Sequence, residues 1–266
     1  MAGKQKRIVV PTDGPLDWKA LLADPEKHWR SGYSAMSTAY SWEEADGLPA
    51  EIAAIFKNAD NPALRDAKLA LAIPEYKVDL KGGTRPSQND VFALMSCSDG
   101  LISMMVEGKA REDFDATLGD WKKRTSAKGV KDRLGDIMEN LGLPAPVRKK
   151  LCIQIIVAEL MPYIPHGPLG PGYIKKMEPG ETDLDNIRYQ LLHRAASAVI
   201  EAKRFHAKYA VLLIQSFEED DTKNHYDDFE KFVGLFEKKA AKDKLIELSR
   251  PDGRPLYAAW IHSKAT

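Results

Sequence analysis

Two short apolar runs, Val91-Phe92-Ala93-Leu94-Met95 and Leu101-Ile102-Ser103-Met104-Met105-Val106, flank Ser98-Asp99-Gly100. An Asp-Gly pair between two apolar runs predicts a β-hairpin, because both central residues of a type I′ turn need positive φ. Both runs are apolar at odd and even positions alike, so the hairpin is expected to be covered on both faces. Residues 69–80 read as the strand before it. Residues 131–141 read as a helix, ended by Gly142 and Pro144. Ile187, Leu191, Ala195, Ala198, Val199 and Ala202 recur at helical spacing, with Gln190, Arg194, Ser197 and Glu201 on another face. Asp183 or Asp185 is expected to cap that helix. It leads into a buried strand at 209–214. A second amphipathic helix follows at 226–239, and a last strand at 256–261.

Upstream, Ser41 and Glu44 have the spacing of a capping box. The helix they would start holds Ile52, Ile55 and Phe56 and is expected to split at Gly47 and Pro49. Between 162 and 180 prolines and glycines recur every few residues, which predicts a long loop. Strand, hairpin, helix, strand implies an α/β fold with a mixed central sheet flanked by helices. The expectation is a single domain over 1–266. Its core runs from about 69 to 217, with a helical, aromatic block at 1–68 and a C-terminal helix and strand at 218–266.

The length of 266 residues permits a full core without disulfides or metals to staple it. Lysine plus arginine equals aspartate plus glutamate, 39 each. A neutral chain argues against tight, sequence-independent DNA binding, which comes mostly from phosphate contacts, but leaves room for a local basic surface. Cys97 and Cys152 have no CxxC spacing and read as buried, reduced thiols, which points to the cytoplasm and away from structural zinc. The basic start is not followed by a long apolar stretch, so it does not read as a secretory signal. The greasiest stretch, 151–164, is too short to cross a bilayer and contains Gln154 and Glu159. It reads as a buried helix, and no membrane partner is expected.

The chemistry has to be selected by context, because acid-any-lysine occurs nine times in the chain. Glu107-Gly108-Lys109 closes the second hairpin strand. With Asp99 and Gly100 as the loop residues, Asp90 falls opposite Lys109 and Phe92 opposite Glu107. Side chains alternate with period two, so Asp90, Glu107 and Lys109 share a face. Two carboxylates so placed can bind Mg²⁺, and a neighbouring ammonium can orient an attacking water. Glu75-Tyr76-Lys77 also ends an apolar strand but reads as a structural or secondary feature. His28, Arg30 and Tyr33 read as loop packing, and Trp18, Trp29, Trp42, Trp121 and Trp260 as core or rim. Gly167, Gly170 and Gly172 lack the lysine and hydroxyl of a phosphate loop, and no Ser-His-Asp elbow is visible.

Asn89-Asp90, followed by Glu107-Gly108-Lys109 seventeen positions after Asp90, resembles the signature of the PD-(D/E)XK nuclease superfamily. The resemblance implies a restriction-endonuclease-like core with a long insertion between the hairpin and the next helix. It implies metal ligation by Asp90 and Glu107, with Mg²⁺ or Mn²⁺ as the ion, and water activation by Lys109. It places Gln190 in the catalytic set and Arg188, His193 and Arg194 on the substrate, and allows a further acid from Glu43 or Glu44. Nucleic acid is the implied partner, and a homodimer the arrangement suggested for cutting two strands. More loosely, His28-Trp29-Arg30, Gly32-Tyr33-Ser34, Arg85-Pro86-Ser87-Gln88-Asn89-Asp90, Val106-Glu107-Gly108-Lys109 and residues 187–196 give the whole chain a resemblance to a group of bacterial proteins of unknown function. The alternatives are an inactive descendant that keeps the fold for binding and a hydrolase of some other phosphate ester.

Overall fold

The computed structural model describes residues 7–160, 183–217 and 225–265. Six strands form one sheet: β1 (Lys68–Val78), β2 (Ser87–Cys97), β3 (Gly100–Lys109), β4 (Tyr209–Ser216), β5 (Ile246–Ser249) and β6 (Leu256–His262). Their order is β1-β2-β3-β4-β6-β5. β2 runs antiparallel to both β1 and β3, while β3, β4 and β6 are parallel to one another. This is the expected mixed α/β sheet with helices on both faces. The short β5, antiparallel to β6, was not legible as a strand.

The apolar runs read from the sequence are buried on both sides. Phe92, Leu94 and Met105 face one core and Val91, Ala93, Ile102 and Met104 the other. After α1 (Pro25–His28), the helices α2 (Ser34–Glu44) and α3 (Ala50–Lys57) cover the second core through Ala39, Trp42, Ile52, Ile55 and Phe56. The first core is covered by α5 (Ala127–Leu141), by α7 (Tyr189–Arg204) and by α8 (His225–Gly234). Between β3 and α7 also lie α4 (Leu118–Lys123) and α6 (Ala145–Leu160). Trp18, Trp42 and Trp260 are buried, as expected of core residues.

Several local expectations are corrected. Ser41 does not start a helix but lies inside α2, where its Oγ accepts from Gln215 Nε2 at 2.9 Å. The break after Glu44 falls at Gly47 and Pro49, as expected. Asp183 does not cap α7; a 3₁₀ turn over Asp183–Asn186 precedes it, and Arg188 stands at the cap position without a side-chain bond. The C-terminal helix stops at Gly234. Cys97 is half-buried and Cys152 exposed, not buried. In α6 only one face is covered: Leu151 and Ile155 are buried while Ile156 is 53% exposed. The proline- and glycine-rich stretch at 162–180 lies wholly outside the described residues. Among the described residues, no helix is long and apolar enough to cross a membrane.

The hairpin turn is the correction that matters for chemistry. Cys97 pairs with Gly100, so the loop residues are Ser98 and Asp99. Positive φ falls on Gly100 alone, at 136°, so this is not a type I′ turn. Asp99 instead ties the turn to β4, accepting from Tyr209 Oη at 2.7 Å and pairing with Lys208. The resulting register differs from the expected one by two residues. A two-residue slip preserves the face of every side chain, whereas a one-residue slip would reverse it.

Candidate active site

The observed ladders bring three acids into one row. Phe92 pairs with Met105 and Val91 with Val106, so the next step along the hairpin sets Asp90 across from Glu107. On the other side of β2, Pro74 pairs with Val91 and Tyr76 with Asn89, which sets Glu75 across from Asp90. Glu75, Asp90 and Glu107 therefore lie side by side on three adjacent strands, where directly opposite Cβ atoms are about 5 Å apart. Glu75 has φ 53°, a left-handed backbone rare for a glutamate. The kink switches the alternation of β1: Leu71 and Ile73 before it and Tyr76 and Val78 after it all pack on the core under α7.

The row opens into a cleft of about 650 Å³ whose lining includes Glu75, Asp90, Glu107, Lys109, Gln190 and Arg194. Glu107 is its hub and is only 2% exposed. Lys109 Nζ donates to Glu107 Oε1 at 2.8 Å, Gln190 Nε2 donates to the same oxygen at 2.7 Å, and Arg194 Nε donates to Oε2 at 2.7 Å. The polar stripe of α7 is thus turned into the protein rather than to water, with Gln190 and Arg194 on the acids: Arg194, Ser197 and Glu201 are all buried. Gln190 Oε1 in turn accepts from the Asp115 amide at 3.3 Å. The Lys109 ammonium also sits 4.7 Å from the centre of the Phe114 ring. Asp90 Oδ2 accepts from the Gly108 amide at 2.7 Å, and Glu75 Oε2 accepts from Gln88 Nε2 at 2.5 Å.

These surroundings push the three acids apart in acidity. Burial raises Glu107, but the Lys109 ammonium and the Arg194 guanidinium outweigh it and hold the carboxyl below its ordinary range. Burial, then the charges of Glu107 and Glu75, hold Asp90 well above its ordinary range, against the pull of Arg194 and Lys109. Glu75 is raised to about 7, chiefly by burial, with Gln88 and Arg194 opposing. Carboxylates split in this way are a frequent mark of functional sites.

Other residues singled out from the sequence are sorted by the fold. His28, Arg30 and Tyr33, expected to pack a loop, line the cleft. His193 lies in the neighbouring cavity, its Nδ1 2.8 Å from Ser87 Oγ. Burial, Arg194 and Arg133 keep that imidazole neutral, well below its ordinary pKa. Arg188 is not brought into the cleft: it pairs with Asp228 at 2.7 Å and reaches the Phe114 and Asp115 carbonyls. Glu43 is engaged by Thr12 and Trp18 and, like Glu44, does not line the cleft. Glu75, read as a secondary feature, is the site residue that sequence reasoning set aside. The signal was present in the Glu75-Tyr76-Lys77 motif at a strand end.

Gly108, between Glu107 and Lys109, is required by packing from the opposite face. A Cβ there would lie 2.4 Å from Thr38 Oγ1 and 3.3 Å from both Asp90 Oδ2 and Ser34 Cβ. Gly108→Ala is therefore expected to lower stability by about 1–3 kcal/mol, the usual cost of overpacking. Adding Thr38→Ala should recover part of that loss, and urea denaturation of the two variants checks it. No recovery would place the clash elsewhere.

Among the described residues, no three His, Cys, Asp or Glu side chains stand ready around one point as a metal cage. Glu107 is committed on both oxygens. Asp90 and Glu75 each have a second carboxylate oxygen without a hydrogen bond to any described residue. The donor set is all-oxygen and crowded with like charge, which fits a hard divalent cation. No curated protein and no solved structure matches the chain. Residues 11–159 and 173–265 match the family model described as Domain of unknown function (DUF6946), and the chain belongs to that family.

Proposed function

We propose that this chain is a metal-dependent phosphodiester hydrolase that cuts nucleic acid. The observation that carries the reading is the row Glu75, Asp90 and Glu107 on three neighbouring strands, closed by the buried Lys109. The order of elements agrees with a restriction-endonuclease-like core: antiparallel β1, β2 and β3, then α7, then β4 parallel to β3. Asp90 and Glu107 would hold Mg²⁺ or Mn²⁺, with Glu75 beside them. Such an ion, when bound, activates water and stabilises negative charge on a phosphate oxygen.

The chain's own residues supply the rest. The Lys109 ammonium, held by Glu107, positions the attacking water and offsets charge building on the phosphate. Gln190 fixes the orientation of Glu107 and is itself fixed by the Asp115 amide. Arg194 keeps Glu107 ionised from the opposite side. Water adds to phosphorus as the ester P–O bond breaks, leaving one product with a phosphate and the other with a hydroxyl. The free thiols suit a reducing cytoplasm.

A second reading, a nuclease fold kept for binding alone, is favoured by the full engagement of Glu107 with Lys109, Gln190 and Arg194. Purified wild type and Lys109→Ala, incubated with single- and double-stranded DNA and RNA in Mg²⁺, Mn²⁺ or EDTA, separate the two. Hydrolysis predicts cleavage that stops in EDTA and falls by about 100-fold or more in the variant. Equal cleavage by both proteins, or none by either, contradicts it.

A further inference from the structure

A second cavity, also about 650 Å³, adjoins the acidic cleft, and Gln88, Asp115, Gln190 and Arg194 line both. Its character is the reverse of its neighbour's. Arg85, Arg124, Arg133 and Arg194 line it against one acid, Asp115. Arg133, on α5, is only 7% exposed. Its hydrogen bonds go to neutral groups: the Lys81 carbonyl, the Arg85 carbonyl at 3.3 Å and Tyr189 Oη at 3.3 Å. Among the described residues it pairs with no carboxylate. A buried guanidinium without an anion is costly, so a cavity that presents one is suited to receive an anion. Arg85 and Arg124 are exposed at the same cavity and likewise make no ion pair among the described residues.

The remaining wall is aromatic. The Trp121 indole lies parallel to the Tyr189 ring, with centroids 4.2 Å apart and planes within 12°, and both residues line the cavity. The loop that carries Gly82 and Gly83 also lines the cavity. Gly82 has φ 78°, and a Cβ there would come within 2.5 Å of the Arg133 amide. A Cβ on Gly83 would lie 3.2 Å from the Arg133 guanidinium. The loop thus presses on α5 and puts no side chain beside the arginine at these two positions.

We propose that this cavity is a nucleotide subsite, which takes a phosphate on Arg133, Arg85 and Arg124 and a base against the Trp121 wall. The inference rests on the reading of the acidic row as a hydrolytic site. It deepens that reading by making the substrate a single strand whose next phosphodiester lies over Asp90 and Glu107. A duplex holds its bases stacked inside, whereas a single strand presents an aromatic face and a backbone phosphate together. The shared wall of Gln88, Gln190 and Arg194 joins the two subsites along one strand.

The test is binding of a 5′-phosphorylated thymidine dinucleotide in EDTA, read by calorimetry and by tryptophan fluorescence. Cleavage of a longer single strand in Mg²⁺ is measured alongside. Wild type should bind with quenched fluorescence, and Trp121→Phe should lose most of the quenching. The double variant Arg85→Gln/Arg124→Gln, altered only at exposed positions, should bind at least tenfold more weakly while melting like wild type. Asp90→Asn should not weaken binding. Inorganic phosphate alone should not reproduce the quenching; if it does, the nucleotide assignment falls. Cleavage by wild type with unchanged affinity in the double variant overturns the subsite and leaves the hydrolytic reading. Binding as expected by a protein that cleaves nothing overturns the hydrolytic reading and leaves the subsite. A wild type that does not bind the dinucleotide overturns the proposal.

Discussion

Glu107→Ala is expected to destabilise the fold by about 3–5 kcal/mol, the range seen when one partner of a buried ion pair is removed. Lys109 is 4% and Arg194 7% exposed, and both direct their charge at this one carboxylate. Its loss leaves two buried cations facing a shortened side chain, and strands the Gln190 amide as well. Relief of the repulsion on Asp90 and Glu75 returns part of the cost, because the charge of Glu107 helps, after burial, to hold both carboxyls above their ordinary pKa. Glu107→Gln should fall between the variant and wild type, since the amide oxygen still accepts from one donor. Urea denaturation in EDTA gives the difference. A loss under about 1 kcal/mol is the value for solvated pairs and would mean that water reaches the hub of the site.

The second large effect is on pH dependence. Glu75 has an ordinary pKa of 4.5 and is raised to about 7 in the fold, first by burial and also by the charge of Glu107. A raised carboxyl favours the folded state while it is protonated. Its contribution is complete below about 4.5, where both states hold the proton, and is lost as pH climbs through about 7. At about 1.4 kcal/mol per unit, the loss amounts to roughly 3 kcal/mol. Glu75→Gln should therefore be more stable than wild type at pH 8 in EDTA, and the difference should vanish toward pH 4. The Gln88 contact survives, because the new amide oxygen can still accept from Gln88 Nε2. Asp90 is shifted in the same direction and keeps part of the slope in the variant. Parallel stability curves for the two proteins across this window would show that Glu75 titrates as it does in water.

How much of this could be read from the chain depends on which contacts are local. The hairpin was legible because its turn is short and its strands are apolar on both faces. The expected loop was displaced by one residue, and the register by two, because Asp99 is tied to Tyr209 and Lys208, neighbours that no local rule supplies. Asp90, Glu107 and Lys109 still share a face, since an even shift preserves the alternation. Gln190 and Arg194 were legible as a polar stripe on a helix, but a stripe looks the same whether it meets water or buried acids. Only the packing of α7 over β3 distinguishes the two.

Glu75 was not legible as a site residue for two physical reasons. The connection from Val78 to Ser87 is not a tight turn, so nothing local fixes the register of β1 against β2. The positive φ at Glu75 also breaks the alternation by which a strand's faces are read. Arg133 was invisible for a related reason: its neighbours Lys81 and Arg85 come from the connection between β1 and β2 and Tyr189 from α7, with no spacing to reveal them. Arg188 shows the opposite error, a basic residue beside the site that is claimed by Asp228.

Binding of Mn²⁺ to wild type and to Asp90→Asn, followed by calorimetry and by the electron spin resonance of the free ion, tests most directly whether the three-acid row is a cation site. Asparagine keeps the shape of Asp90, removes its charge and relieves repulsion, so the variant is expected to fold. Saturable binding by wild type that weakens by at least tenfold in the variant is the expected result. Equal binding by both proteins, or none by wild type, would contradict a metal held by Asp90 and Glu107.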